Sequence, residues 1–263
     1  MTFFKSLVAV VATTLTALYT LQVQADTLDD VRAKGTLRVA VPQDSPPFGS
    51  VGTSMQLQGY DVDLANLLAK DLGVSLQLVP VSSSNRLPYL QTGKVDVIIS
   101  SLGKSAEREK TVDFSMPYAI VFSGVFGPAS VAVGKPEDLA GKVIGASRGS
   151  LEDMEITRLA PPTANIRRFE DAATTMQALL SGQVELTAST NTVVAATVKR
   201  NPPVPPVLKF RMKVSPSYVG VAKNEPRLLD RINQLIVAKK QNGELNGMYQ
   251  KWFGQALPEM PLQ

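Results

Sequence analysis

The 263-residue chain contains neither cysteine nor histidine. Without cysteine there is no disulfide framework, no thiol nucleophile and no thiol to carry a lipid anchor. Without histidine, the imidazole-bearing zinc sites and the Ser-His-Asp and Cys-His catalytic arrangements are excluded in their ordinary forms. No metal and no cofactor is expected. Aromatic residues are sparse, at 6% with a single tryptophan. Charge of one sign is not concentrated anywhere: 27 Lys and Arg face 23 Asp and Glu, and the surplus of +4 is scattered rather than gathered in a basic run. Nucleic acid is therefore not an expected partner.

One long apolar run is present, at the N-terminus. Lys5 precedes a charge-free stretch over residues 7–21, and Val23-Gln24-Ala25 then supplies the small-x-small pattern that a signal peptidase accepts. The run is short for a membrane span and carries four threonines and a tyrosine. Residues 1–25 are expected to be a signal peptide, and the mature chain is expected to be periplasmic. Losing Lys5 lowers its net charge from +4 to +3, and about 240 residues remain, enough for two small domains with cores.

Beyond residue 25, apolar strands and amphipathic helices alternate, which predicts an α/β protein with mainly parallel sheets. TLRVAV (36–41) and VSLQLVPV (74–81) bracket a helix whose Leu64, Leu67, Leu68 and Leu72 recur at helical spacing before Gly73. A helix over 84–92, capped by Ser84, leads through Gly93 into KVDVIIS; Ser105 caps a short acidic-first helix, AEREKTV. After Phe122 the pattern restarts. LPYLQTGKVDVIIS (87–100) and MQALLSGQVELTAS (176–189) share helix, glycine turn and strand in one register, with Gly93 matching Gly182. The echo predicts two related lobes, each ending an equivalent strand in small hydroxyl residues, Ser100 and Ser101 against Ser189 and Thr190. Ligands of open α/β sheets bind beyond such carboxyl ends. The expected division is lobe 1 over 26–122, lobe 2 over 123–213 and a return to lobe 1 over 214–263, with two crossings forming a hinge. Two amphipathic helices close the chain, the first with a stripe of Leu228, Leu229, Ile232, Leu235 and Ile236.

GYDVDLANLLAKDLG (59–73), GKVDVIISSLGKSAEREKTVDFSMPY (93–118), LAGKVIGASRGS (139–150) and the closing GELNGMYQKWFG, in that order, resemble the periplasmic polar amino-acid-binding proteins of ABC transporters, family 3 of the bacterial extracellular solute-binding proteins. The resemblance implies a monomeric two-lobed clamp that captures a small carboxylate-bearing ligand, an amino acid in that family's pattern, and passes it to a membrane permease. The same fold also serves, rarely, as an enzyme resembling cyclohexadienyl dehydratase, which leaves a dehydratase-like lyase using Glu152 or Asp44 as general acid as the alternative.

A zwitterion taken out of water needs a guanidinium fork and several N–H or O–H donors for its carboxylate. Arg108 is the leading anchor, and the resemblance assigns it the α-carboxylate with help from Ser101 and Gly103. The alternative is a solvated helix arginine pairing with Glu107 or Glu109. Ser150, opening a helix after a strand, either caps that helix or meets the same carboxylate. The Ser-x-Asn-Arg-x-Pro segment resembles the glutamate/aspartate-binding branch, which implies that Ser83 and Arg86 hold a second, side-chain carboxylate. Asp61 and Asp63 are expected to cap and charge a helix start, and Phe48 to pack. One departure stands out: where many relatives carry an aspartate for the ligand ammonium, this chain has Thr190, which leaves Asp44 or Glu152 as candidates for the counter-charge.

Overall fold

A computed structural model describes residues 26–260; the expected signal peptide and its cleavage point lie outside them. The first unit begins with α1 (Thr27–Lys34), β1 (Thr36–Pro42), a small three-stranded sheet of β2 (Asp44–Ser45), β3 (Gly49–Val51) and β4 (Leu57–Gln58), then α2 (Tyr60–Leu72) and β5 (Ser75–Val81). It continues with α3 (Arg86–Gln91), β6 (Val97–Gly103) and α4 (Ala106–Glu109). The second unit holds β8 (Val143–Ser147), α5 (Leu151–Leu159), β9 (Asn165–Phe169), α6 (Ala172–Leu180), β10 (Leu186–Thr190) and α7 (Asn191–Val198). Two 16-residue strands, β7 (Val112–Gly127) and β11 (Val207–Ala222), run between the units, and α8 (Pro226–Gln241) and α9 (Glu244–Phe253) close the chain.

The two lobes share one eight-stranded sheet in the order β5-β1-β6-β11-β7-β10-β8-β9. β5, β1 and β6 pair in parallel on one side, and β10, β8 and β9 on the other. Between them lies the antiparallel β7–β11 ladder. The expected restart after Phe122 is thus one continuous strand, because its alternating apolar residues find β11 along its whole length. The two expected lobe boundaries face each other in that ladder, Phe122 opposite Val214 and Ser123 opposite Lys213. Four register shifts interrupt the ladder; such bulges bend a strand pair and tolerate the missing N–H of Pro117 and Pro216.

The internal echo is visible at atomic level. Gly93 and Gly182 both take left-handed backbone angles, φ 66° and 75°, and each turn makes the same bonds: the glycine amide donates to Leu90 O or Leu179 O, and the next two amides to Tyr89 O or Ala178 O. Three residues past each glycine, an acid ties down the neighbouring strand. Asp96 accepts the Arg38 amide at 2.7 Å and the Arg38 guanidinium at 2.5 and 3.2 Å. Glu185 accepts the Val143 amide at 3.3 Å and Lys142 Nζ at 3.0 Å. These matched anchors set the depth of β1 and β8, whose far ends face the cleft.

The closing helices pack on the first unit. Leu228, Ile232, Leu235, Leu245 and Tyr249 join a core with Leu64, Leu68 and Tyr118, and the Tyr249 hydroxyl donates to Ile120 O on β7 at 3.0 Å. Phe48 packs edge-on against Tyr60 and Phe253, as a core residue should. Two local expectations are corrected. Ser84 does not cap α3: the preceding position to that helix is Asn85, which makes no side-chain cap, and Ser84 Oγ pairs with Ser82 Oγ at 3.0 Å. Asp61 and Asp63 do not cap α2 either; Asp63 accepts from Lys251 Nζ and Trp252 Nε1, both at 2.7 Å, pinning α9 to α2.

The echo carries an asymmetry that can be measured. Asp96 has a side chain 8% exposed, Glu185 one 40% exposed. Asp96→Ala is expected to destabilise the protein by about 1.5–3 kcal/mol, since it strips a buried amide and a guanidinium of a charged acceptor; Glu185→Ala is expected to cost at most about 1 kcal/mol. Denaturant titration of both variants checks the ranking.

Candidate ligand-binding site

The cavity of about 50 Å³ between the lobes is lined by the strand ends of both units and by the crossing strands. From the first unit come Ser45, Phe48, Ser83, Arg86, Ser101, Gly103 and Arg108; from the second, Ser147, Ser150, Leu151, Glu152, Ala172, Thr175, Ala188, Ser189, Thr190 and Val193; from β7 and β11, Val121 and Ser215. Nine of these side chains are serine or threonine, and the charged ones are Arg86, Arg108 and Glu152. The lobes are closed over this space. Asp44 Oδ2 accepts the Ala172 amide at 2.7 Å, Ser82 Oγ donates to Glu170 Oε1 at 3.3 Å, and Gly149 lies against Ser84.

Arg108 is buried, not solvated, and pairs with neither Glu107 nor Glu109. Ser105 caps α4 by accepting the Arg108 amide, which turns the side chain into the cleft. Its Nη1 donates to Gly103 O at 2.8 Å in its own lobe and its Nη2 to Gly149 O at 2.9 Å in the other. Burial and the neighbouring Arg86 charge bring its pKa down to about 10, while Glu152 pulls the other way. Arg86 is buried as well. Its Nη1 donates to Ser100 O at 2.6 Å, its Nη2 to Ser83 Oγ, and its Nε has no partner. Burial pushes its pKa down, against the attraction of Asp44, Glu152 and Asp61.

Ser101 occupies a strained position, with φ 39° at a non-glycine residue. Asp61 holds it there: Oδ2 accepts the Ser101 amide at 2.7 Å and Oδ1 the Tyr118 hydroxyl at 2.8 Å. The carboxylate at the head of α2 is therefore a positioning group for the cavity wall. Burial raises its pKa to about 7, against the two donated hydrogen bonds and Arg86. In the second unit Ser150 both caps α5, accepting the Asp153 amide at 3.0 Å, and lines the cavity. Thr190 lines it while capping α7 through Val193 N at 3.4 Å.

The cavity thus gathers Ser83, Arg86, Ser101, Gly103, Arg108, Ser150 and Thr190. Asp44 is the exception: its Oδ2 accepts the first amide of α6, and the residue lines the neighbouring groove and is not among those lining this cavity. Sequence reasoning missed Ser147, whose buried Oγ has no partner, although its place at the end of strand VIGAS was a usable signal. Ser215 had no such signal, because only the crossing of β11 brings it in. Among the described residues no group of three or more carboxylates could hold a metal ion, and no helix is long and apolar enough to cross a membrane.

A doubly crossed pair of α/β lobes closed on a buried, hydroxyl-lined, cationic cavity defines a small-anion or zwitterion clamp. Over residues 37–255 the chain matches the bacterial extracellular solute-binding proteins, family 3, and it belongs to that family. It is similar to the L-cystine-binding protein TcyJ of Escherichia coli (strain K12), 30% identical over 258 residues and 95% of each chain. It is also similar to the ABC transporter glutamine-binding protein GlnH of Bacillus subtilis (strain 168), 28% identical over 87% of this chain and 85% of that one. Among solved structures it resembles AncCDT-1, an ancestral amino acid-binding protein and precursor of cyclohexadienyl dehydratase, with a TM-score of 0.79 and 32% identity over 87% of this chain and 100% of that one.

Two measurements test the geometry. A Cβ on Gly103 would lie 2.0 Å from Leu151 Cδ1 across the cleft, so Gly103→Ala is expected to oppose closure. Overpacking of about 1–3 kcal/mol corresponds to roughly 5- to 150-fold weaker ligand binding, and Leu151→Ala in the same chain should restore most of it; calorimetry on both variants checks this. For Asp61, a folded-state pKa of about 7 against an ordinary value of 3.8 means that the native protein keeps a proton the unfolded chain gives up. Its contribution is fully present below about pH 4 and is lost as pH rises through about 7. Melting temperatures between pH 4 and 8 are expected to fall more steeply with pH for the parent than for Asp61→Asn; parallel curves would refute the assignment.

Proposed function

We propose that this chain captures an acidic amino acid outside the cytoplasm and delivers it to the membrane permease of an ABC transporter. The observation that carries the reading is the presence of two buried guanidiniums in one enclosed cavity. Arg108, beside Ser101 and Gly103, takes the α-carboxylate; Arg86, with Ser83, takes the side-chain carboxylate. Serine and threonine hydroxyls supply further donors, and the lack of an aromatic platform other than Phe48 suits a short, non-planar ligand. Relatives that bind cystine and glutamine support amino-acid capture in general.

The lobes meet at residues 122/123 and 213/214, in the bulged ladder, and ligand loading is read out as hinge closure of a monomer. Export by the N-terminal signal brings the protein to the periplasm. A lyase reading has one observation in its favour, the likeness to a dehydratase precursor. With Asp44 engaged by Ala172, Glu152 is left as the general acid for such chemistry, and a prephenate-like compound that is consumed rather than merely bound would establish it.

Calorimetry against glutamate, aspartate, glutamine, arginine, histidine and succinate decides the ligand class. Tight binding of an acidic compound is expected; tight binding of a cationic amino acid with no acidic one would overturn the reading. Arg108→Ala is expected to cost about 2–5 kcal/mol of binding, the consequence of leaving a buried charge without its partner, while the protein remains folded by circular dichroism.

A further inference from the structure

Around the cleft, carboxylates are engaged by the protein itself. Asp44 accepts the Ala172 amide, Asp61 the Ser101 amide and Tyr118 hydroxyl, Asp153 the Gly149 amide and Arg168, and Glu170 the Ser82 hydroxyl. Glu152 differs. It is the second residue of α5, half-buried, it lines the cavity, and among the described residues no hydrogen bond or ion pair engages its carboxylate. It is nonetheless within electrostatic reach of both Arg86 and Arg108. The end of β10, in the same lobe, carries Thr190, an uncharged side chain already occupied in capping α7.

We infer that Glu152 is the acceptor for the ligand's ammonium group, and that it makes the cavity select dicarboxylates bearing an amine over those without one. The inference rests on the acidic reading of Arg86 and Arg108 for its second half only. The chemistry is a matching of charges: two guanidiniums and one carboxylate face a molecule with two carboxylates and one ammonium, so that each buried ion meets an opposite partner. A nitrogen-free dicarboxylate in the same place satisfies both arginines but leaves Glu152 beside two anions in a closed cleft, where removal of water strengthens the repulsion. The place of Glu152 in the first turn of α5 is one that a helix dipole favours for an acidic side chain.

The test is calorimetry of the parent and Glu152→Gln against the twenty amino acids, succinate and glutarate, with the unliganded melting temperature as control for folding. The parent is expected to prefer glutamate or aspartate to succinate and glutarate. Glu152→Gln is expected to lose about ten- to a hundredfold in affinity for the amino-bearing ligand, the worth of a charge-assisted hydrogen bond, while binding the nitrogen-free acids unchanged or more tightly. If the parent binds a neutral or basic amino acid and Glu152→Gln loses it, the ammonium role stands and the acidic reading falls. Equal affinity of parent and variant for the amino acid, or an equal loss for both kinds of ligand, overturns the role of Glu152. So does a parent that binds nitrogen-free acids alone, or nothing in the set.

Discussion

Two guanidinium groups held out of water at the seam between the lobes constrain everything else in this structure. Arg86 and Arg108 are each buried in the same cavity, and the Arg86 charge lowers the affinity of Arg108 for a proton. Burying like charges side by side is costly, and such a pair is tolerated only where fixed acceptors offset it. Here those acceptors are main-chain carbonyls: Ser100 O for Arg86, Gly103 O and Gly149 O for Arg108. Carbonyl dipoles satisfy donors without cancelling charge. The closed cleft therefore keeps a surplus of positive charge, with Glu152 as the one opposing charge on its lining, and it is this surplus on which the acidic reading rests.

That arrangement requires the lobes to meet in register, and the sheet provides it. β6 and β10 end at the cavity from opposite sides because both pair with the long β7–β11 ladder. The matched turns at Gly93 and Gly182, with Asp96 and Glu185 three residues on, place β6 and β10 and their neighbours at equivalent depths. Arg108 Nη2 reaches Gly149 O across the closed cleft, so one side chain both lines the cavity and bridges the lobes. Gly103 and Leu151 set the limit of approach.

Much of this was legible in the sequence. The alternation of elements, the repeated helix-turn-strand and the hydroxyl residues at its strand ends are local patterns, and local patterns survive folding. The motif order carried Ser83, Arg86, Ser101, Gly103 and Arg108 to the cavity before any geometry was known. What was not legible depends on distance in the chain. Asp61 sits 40 residues from Ser101 and 57 from Tyr118, and its position at a helix start pointed to capping instead. Asp44 stood beside Glu152 as a candidate counter-charge because Ala172, 128 residues away, gives no sign in sequence that its amide will arrive. Ser215 enters the cavity through a crossing strand whose register is set by bulges.

With Glu152 in the inferred role, the contrast with Asp61 divides acidic side chains into structural and ligand-directed ones. Both are acids near the start of a helix, where a dipole favours them. Asp61 is fully buried with its two oxygens filled by an amide and a hydroxyl, and burial raises its proton affinity to about 7; it has nothing left to offer a ligand, and its work is to keep Ser101 in a left-handed turn that a serine does not adopt unaided. Glu152 keeps its oxygens free and faces the same space from the other lobe. A clamp needs both kinds: groups already satisfied by the protein fix the wall, and groups left unsatisfied choose what the wall encloses. Because the second kind is paired only by the ligand, closure on the wrong ligand leaves a buried charge without a partner, and specificity follows from that cost as much as from any attraction.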